Sequence, residues 1–174
     1  NLLYNPALYR QDKTAEAILK LADILRYVIY QATLQKVKIG EEITIIESYI
    51  ELQKMRSAEH GSISFDHKVE NQSYALAPLL LLPLVENSFK YGYFNSGHGK
   101  KYIRIYLFQQ ASHFKFIVSN SKSIKSEKTD EEHGVGLENI RNRLNLIYPE
   151  NYSLKIQEDN VSFTVEIQIV KDEN

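Results

Sequence analysis

Two helix-like patterns open the chain. Ile18, Leu21, Leu25, Val28 and Ala32 recur at three- and four-residue spacing, with Leu19, Ala22 and Ile29 widening the stripe. This spacing predicts an amphipathic helix entered through Asp12 or Thr14 as its cap. A second helix is expected after Gly40, with Ile43, Ile46 and Ile50 on one face and Ile45, Tyr49 and Leu52 beside it. Helices apolar on more than one side need several neighbours, as in a small bundle or a dimer seam. From Ser62 the period shortens: Ile63, Phe65 and Val69 alternate with Ser64, Asp66 and Lys68, which reads as a strand. Pro78 suits a helix start, and Leu79 to Tyr93 is the most apolar helical segment, with Pro83 in its first turn or at a kink.

Strands are then expected at Tyr102–Gln109 and Phe114–Ser119, joined as a hairpin. Ser121 to His133 is polar except for Ile124. Gly134-Val135-Gly136 then opens a helix from Leu137 to Tyr148, stopped by Pro149. Ser153–Gln157 and Val161–Val170 alternate around an Asp159-Asn160 turn. The order is helix, helix, then β-α-β-β-loop-α-β-β, which implies an α+β, two-layer α/β sandwich behind a helical hairpin. The period changes near Ser57–Gly61, so residues 1–58 are expected to form the helical unit and 59–174 the sandwich.

Composition removes several function classes. The 21 Lys+Arg and 22 Asp+Glu give a net charge of −1, without the basic footprint of a nucleic-acid binder. No cysteine is present, which excludes disulfide and thiolate sites and fits a reducing compartment. The five histidines, at 60, 67, 98, 113 and 133, share no metal-ligand spacing and read as loop and strand residues. The apolar run from Ala75 to Val85, interrupted by Pro78 and Pro83, is too short to cross a bilayer. The chain opens on Asn1-Leu2 without Met and reads as part of a longer protein.

The candidate chemistry sits in Leu84-Val85-Glu86-Asn87-Ser88-Phe89-Lys90-Tyr91-Gly92. At helical spacing Glu86, Asn87 and Lys90 can converge on one cavity. Polar groups on so greasy a helix need something to satisfy them. Magnesium and a polyphosphate would do so, since Mg²⁺ takes oxygen ligands and lysine offers phosphate a point charge. A Glu86–Lys90 ion pair, with Asn87 bonded to backbone, is the competing explanation. The glycines at 134 and 136 either bring backbone N–H groups close to an anion or merely make a turn and cap. The long polar tract before them suggests a lid.

Together these pieces resemble the ATP-binding domain of the gyrase/Hsp90/histidine-kinase/MutL superfamily, and among its members the LytS/YehU-type sensor histidine kinases. The resemblance spans nearly the whole chain. Glu86-Asn87-x-x-Lys90-Tyr91-Gly92 is similar to the family's Asn-containing box, and Pro78-Leu79-Leu80-Leu81-Leu82-Pro83-Leu84-Val85 to its lead-in. Gly134-x-Gly136-Leu137-x-Asn139-x-x-x-Arg143-Leu144 resembles the second glycine box. Leu25-Arg26-Tyr27 and Tyr49-Ile50-Glu51-Leu52-Gln53-x-x-Arg56 resemble segments that follow the phosphoacceptor motif.

The resemblance implies a Bergerat-type fold with a mixed, mostly antiparallel sheet, and a kinase that moves the γ-phosphoryl group of ATP to a histidine and on to a response regulator. It implies Mg²⁺ on Asn87, a polarising or general-base role for Glu86, and phosphate contact through Lys90. Tyr91, Asn120, Gly134, Gly136 and Leu137 would complete the nucleotide site. It further implies a homodimer through the N-terminal helices, and a cytoplasmic domain of an inner-membrane protein anchored by upstream segments. The family's Asn-Pro-His-Phe type acceptor motif is absent, and Asn1-Leu2-Leu3-Tyr4 resembles the stretch just after it, so the acceptor is expected upstream. The first glycine box also departs: Val118-Ser119-Asn120-Ser121-Lys122-Ser123 has no glycine and carries Asn120 where the superfamily has aspartate. Weaker adenine binding is therefore expected, with Asn120→Asp tightening it. Two other functions fit the same residues: a nucleotide-binding but inactive signalling module, and a serine kinase or ATPase of the same fold.

Overall fold

In a computed structural model, residues 6–31, 34–56, 61–93, 101–122 and 131–171 are described. Helix α1 (Pro6–Gln31) and helix α2 (Ile39–Arg56) form the hairpin. Strand β1 (Val37–Lys38) lies between them and pairs with β3 (Ala75–Leu76), a two-residue clamp that no periodicity announced. The main sheet contains β2 (Ser62–Val69), β4 (Tyr102–Gln110), β5 (His113–Ser121), β6 (Tyr152–Glu158) and β7 (Ser162–Val170), in the order β2-β4-β5-β7-β6. Only β2 and β4 run parallel; the other pairs are antiparallel. The expected mixed, mostly antiparallel sheet is present.

The strict alternation of β4, β5 and β7 sets the core. Ile103, Ile105 and Leu107 face inward with Phe114, Phe116 and Val118, and with Val165, Ile167 and Ile169. Each such burial contributes roughly 1.5–3 kcal/mol. On the opposite face Arg104 and Tyr106 are exposed, Lys115 pairs with Glu166 at 3.0 Å, and the Ser119 and Thr164 hydroxyls meet at 2.8 Å. Leu82, Leu84, Val85 and Phe89 of the central helical segment, Ile140 and Leu144 of α4 (Glu131–Ile147), and Ile43, Ile46 and Ile50 of α2 close the apolar core.

Helix α2 covers only one side of α1, so the predicted apolar stripe of α1 stays open to the further neighbour, a bundle or a dimer seam, that such a helix needs: Ile18 is 61% exposed, Leu25 52% and Ile29 66%, while Ile24 and Tyr27 are buried. Three expectations change. Helix α1 runs unbroken from Pro6, so neither Asp12 nor Thr14 caps it. Pro78 does not begin a helix. Residues 78–81 turn instead, Leu79 has a φ of 54°, and α3 (Leu82–Asn87) starts four residues later with Pro83 in its first turn. Finally, α4 begins at Glu131, which puts Gly134 and Gly136 inside the helix rather than ahead of it. The proposed lid falls mostly on residues 123–130, outside the described residues, as does most of the boundary near Ser57–Gly61.

Candidate functional site

Helix α3 passes without a break into a π-helical segment, Ser88–Tyr93. A π turn widens the helix by one residue and is frequent at functional positions. Here it carries Lys90, Tyr91 and Gly92 just past Glu86 and Asn87. Lys90 Nζ donates to the Tyr91 hydroxyl at 2.7 Å and sits 4.6 Å from the centre of its ring. The alternative Glu86–Lys90 ion pair is not formed. Among the described residues neither Glu86 nor Asn87 has a side-chain hydrogen bond or ion pair.

Glu86 reaches solvent at its edge, yet burial on its protein side pushes its carboxyl above the ordinary value. Among the described residues no cation offsets that shift. Behind it stands Tyr49 of α2, whose phenol is raised to about 12 by burial first and then by the Glu86 charge. The Tyr49 ring packs edge-on against Phe89 at 5.6 Å. Gln53, on the next turn of α2, is buried and accepts from Arg56 Nη1 at 3.3 Å. The segment Tyr49 to Arg56, noted earlier only for its resemblance, therefore backs Glu86.

Two glycines define the rest of the site. A Cβ on Gly136 would stand 3.2 Å from Asn87 Nδ2, so the glycine box and the Asn box touch. A Cβ on Gly92 would lie 2.2 Å from Asn120 Nδ2, so that amide occupies the space a side chain would need. Asn120 is 3% exposed at the end of β5, and one N–H of its amide donates to the Ser121 carbonyl at 3.0 Å. An aspartate there would turn a carboxylate toward that carbonyl, which opposes the expected gain from Asn120→Asp. Leu137 is half-buried and packs on the core. Gly134 lies on the same helical stretch of α4, and Tyr91 is half-buried beside Lys90.

The donor set suits a metal-bound phosphate. Among the described residues the Glu86 carboxylate and the Asn87 amide, on neighbouring positions of α3, have no side-chain partner, and the amide lies where a Cβ on Gly136 of α4 would crowd it. Among the described residues no cluster of three or more His, Cys, Asp or Glu side chains forms a separate metal site. An open groove of about 560 Å³ lies elsewhere, between α1 and α2, bordered by Asp23, Arg26, Tyr27, Glu41 and Thr44.

Residues 1–60 match the histidine kinase family, and residues 92–170 match the GHKL domain. The two matched stretches follow one another along the chain, the histidine kinase match first and the GHKL match second. Asn120, Gly134, Gly136 and Leu137 fall within the GHKL match, while Glu86, Asn87 and Lys90 lie between the two matched stretches. The sensor protein LytS of Staphylococcus saprophyticus is 27% identical over 88% of this chain and 28% of its own length. The YwpD protein of Bacillus subtilis is 30% identical over 76% of this chain and 50% of its own. The chain thus spans half or less of these relatives. The histidine kinase AdeS of Acinetobacter baumannii has the same fold: TM-score 0.52 and 10% identity, over 99% of this chain and 86% of that one. Among the described residues no helix is long and apolar enough to cross a membrane.

Sequence reasoning missed one polar centre. Glu42 is fully buried, accepts from the Tyr27 hydroxyl at 2.5 Å and takes the Leu79 N–H at 2.9 Å. The sequence signal was partial: two acids, Glu41 and Glu42, interrupt the isoleucine-rich run from Ile39 to Ile46, and only Glu42 falls on the buried side.

Proposed function

We propose that the chain binds Mg-ATP where α3 meets α4 and transfers the γ-phosphoryl group to a histidine upstream of Asn1, from which it passes to a response regulator. The observation that carries this reading is the contact between Asn87 and Gly136, whose amide has no other partner among the described residues. In this reading Asn87 holds Mg²⁺ through its amide oxygen, and the ion neutralises phosphate charge. Glu86 polarises or deprotonates the attacking group, which its upward-shifted carboxyl suits. Lys90, steadied on Tyr91, meets the phosphates, while Gly134, Gly136 and Leu137 flank them and Asn120 borders the base. Phosphoryl transfer asks mainly for positioning and charge neutralisation, and these residues supply both.

The outward apolar face of α1 supports a dimer, because Ile18, Leu19, Leu25, Ile29 and Tyr30 are exposed together and a patch of that kind marks an association surface. Membrane attachment belongs to segments upstream, with this part on the cytoplasmic side. A second reading, a nucleotide-binding but inactive signalling module, is favoured by the glycine-free first box around Asn120. The test is calorimetry with Mg-ATP alongside light scattering. The wild-type protein binds and is dimeric, and Asn87→Ala stays dimeric and folded without binding. Nucleotide uptake unaffected by Asn87→Ala, or requiring no magnesium, defeats the assignment. Radiolabel transfer in a longer chain carrying the upstream histidine separates the live kinase from the inactive module.

A further inference from the structure

Helix α3 is poorly equipped to stand alone. It has six residues, and Leu81 at its N-cap makes no side-chain hydrogen bond to its first turn. A helix that short has little stability of its own, so its start must be held from outside. Glu86 and Asn87 are its last two residues, which puts Asn87 only about 8 Å along the axis from Leu82. Whatever fixes the entry to α3 therefore fixes the candidate site.

Two side chains from distant elements hold that entry. The Ala77 N–H donates to the Tyr148 hydroxyl, just past the end of α4, at 2.8 Å. The Leu79 N–H donates to Glu42 Oε1 of α2 at 2.9 Å. Leu79 is the residue that most needs a hold, because a φ of 54° is a conformation leucine rarely adopts. Glu42 is itself fixed: it is fully buried, and the Tyr27 hydroxyl of α1 donates to the same oxygen at 2.5 Å. Burial pushes its carboxyl above the ordinary value, while the Tyr27 hydroxyl and the N–H groups of Leu79 and Leu81 draw it back. Protonated or ionised, the group keeps an oxygen that accepts.

We infer that Glu42 is a positioning residue for the candidate site, a cap supplied by the helical hairpin to the entry of α3, which sets where Glu86 and Asn87 stand. The hairpin is then part of the nucleotide site rather than a neighbour of it, and reaches it through Tyr27, Glu42 and Leu79. Glu42 is not catalytic; it acts through α3. The inference deepens the Mg-ATP reading and rests on it for its effect on affinity, but the cap itself does not.

Calorimetry with Mg-ATP and amide exchange on Glu42→Gln and Glu42→Met test the cap. Glutamine keeps an oxygen for Tyr27 and Leu79, whereas methionine fills the space without an acceptor. Folded Glu42→Met is expected to bind Mg-ATP about tenfold more weakly than wild type, and Glu42→Gln to recover most of that loss. In Glu42→Met the amides from Leu84 to Phe89 should lose more protection than those of β5, which report overall stability. A merely structural role would lower both sets equally and leave the affinity of the folded protein unchanged. Unchanged affinity in Glu42→Met, or an equal loss in both variants, overturns the inference. The wild-type protein supplies a check that needs no variant: the Leu79 amide should be protected like those of β5, and exchange at the rate of an open turn refutes the cap. Failure of the wild-type protein to bind Mg-ATP refutes the nucleotide reading alone, and the exchange comparison then decides the cap.

Discussion

Gly92 offers the sharpest test of how the site is assembled. Substituting alanine would bring a Cβ to 2.2 Å from Asn120 Nδ2, 2.6 Å from its Cγ and 2.8 Å from its Cβ. The last contact decides the outcome, because Asn120 Cβ cannot swing away. It is fixed to a strand paired on both sides, opposite Ile103 of β4 and Phe163 of β7. Overpacking of this kind costs about 1–3 kcal/mol, and three sub-van der Waals contacts place it in the upper half. Alanine in a helical segment recovers about 1 kcal/mol over glycine, which leaves a net loss of about 1–2 kcal/mol. For a chain of this length that lowers Tm by about 2–8 °C. Gly92→Ala, Asn120→Ala and the double variant are compared with wild type by circular dichroism melts and urea titration. Asn120→Ala alone removes a buried donor and destabilises, yet in the Gly92→Ala background it also removes the two nearest clashes. The double variant should therefore be more stable than the sum of the singles by at least about 0.5 kcal/mol. Additivity, or a Gly92→Ala protein that melts with wild type, would show that Asn120 does not fill the space over Gly92.

Gly136→Ala should behave in the opposite way. Its backbone φ is not positive, its nearest obstacle is the movable amide of Asn87 at 3.2 Å, and alanine favours a helix, so Tm holds or rises by the equivalent of up to about 1 kcal/mol. Displacing that amide should weaken Mg-ATP binding by about tenfold, the worth of one hydrogen bond to a charged partner, so calorimetry and a melt on the same sample must move in opposite directions. Glu86 gives a pH signature: burial raises its carboxyl above the usual 4.5, so the folded protein holds that proton more tightly than the unfolded chain does. Its contribution to stability is present below 4.5 and declines as the pH climbs from there through the folded value, and Glu86→Gln should flatten that decline in a series of urea midpoints.

The central strands β4, β5 and β7 were legible because buried side chains alternate along them, whereas β2 and β6 at the sheet edges do not alternate in burial. Ile103, Ile105 and Leu107 announce an inward face, and β5 and β7 repeat the pattern in register. The Asn box was legible for a related reason: acid, amide and ammonium on a greasy helix are conspicuous. What escaped was everything decided by a partner distant in the chain. Periodicity found the apolar face of α1 but could not say that α2 would cover the other side, with Ile24 and Tyr27 packed and Leu25 left outside. Pro78 read as a helix start because proline at a first turn is ordinary. The turn at Leu79 depends on an N–H held by Glu42, 37 positions away. The β1–β3 clamp is two residues long and shorter than any pattern can register.

The two glycines carry this point further, because their meaning lies in what sits against them. Each faces a side-chain amide from another element: Asn120 over Gly92 and Asn87 over Gly136. An amide held by packing against a bare Cα is located without spending its own hydrogen bonds. For Asn120 the result is a buried group that still donates to Ser121 and keeps capacity in reserve. For Asn87 the amide is placed with oxygen and nitrogen both uncommitted among the described residues, next to a carboxylate equally uncommitted. Glu86 is exposed and Asn87 half-buried, so water can meet both groups in the free protein, and a ligand at this position has only that water to displace.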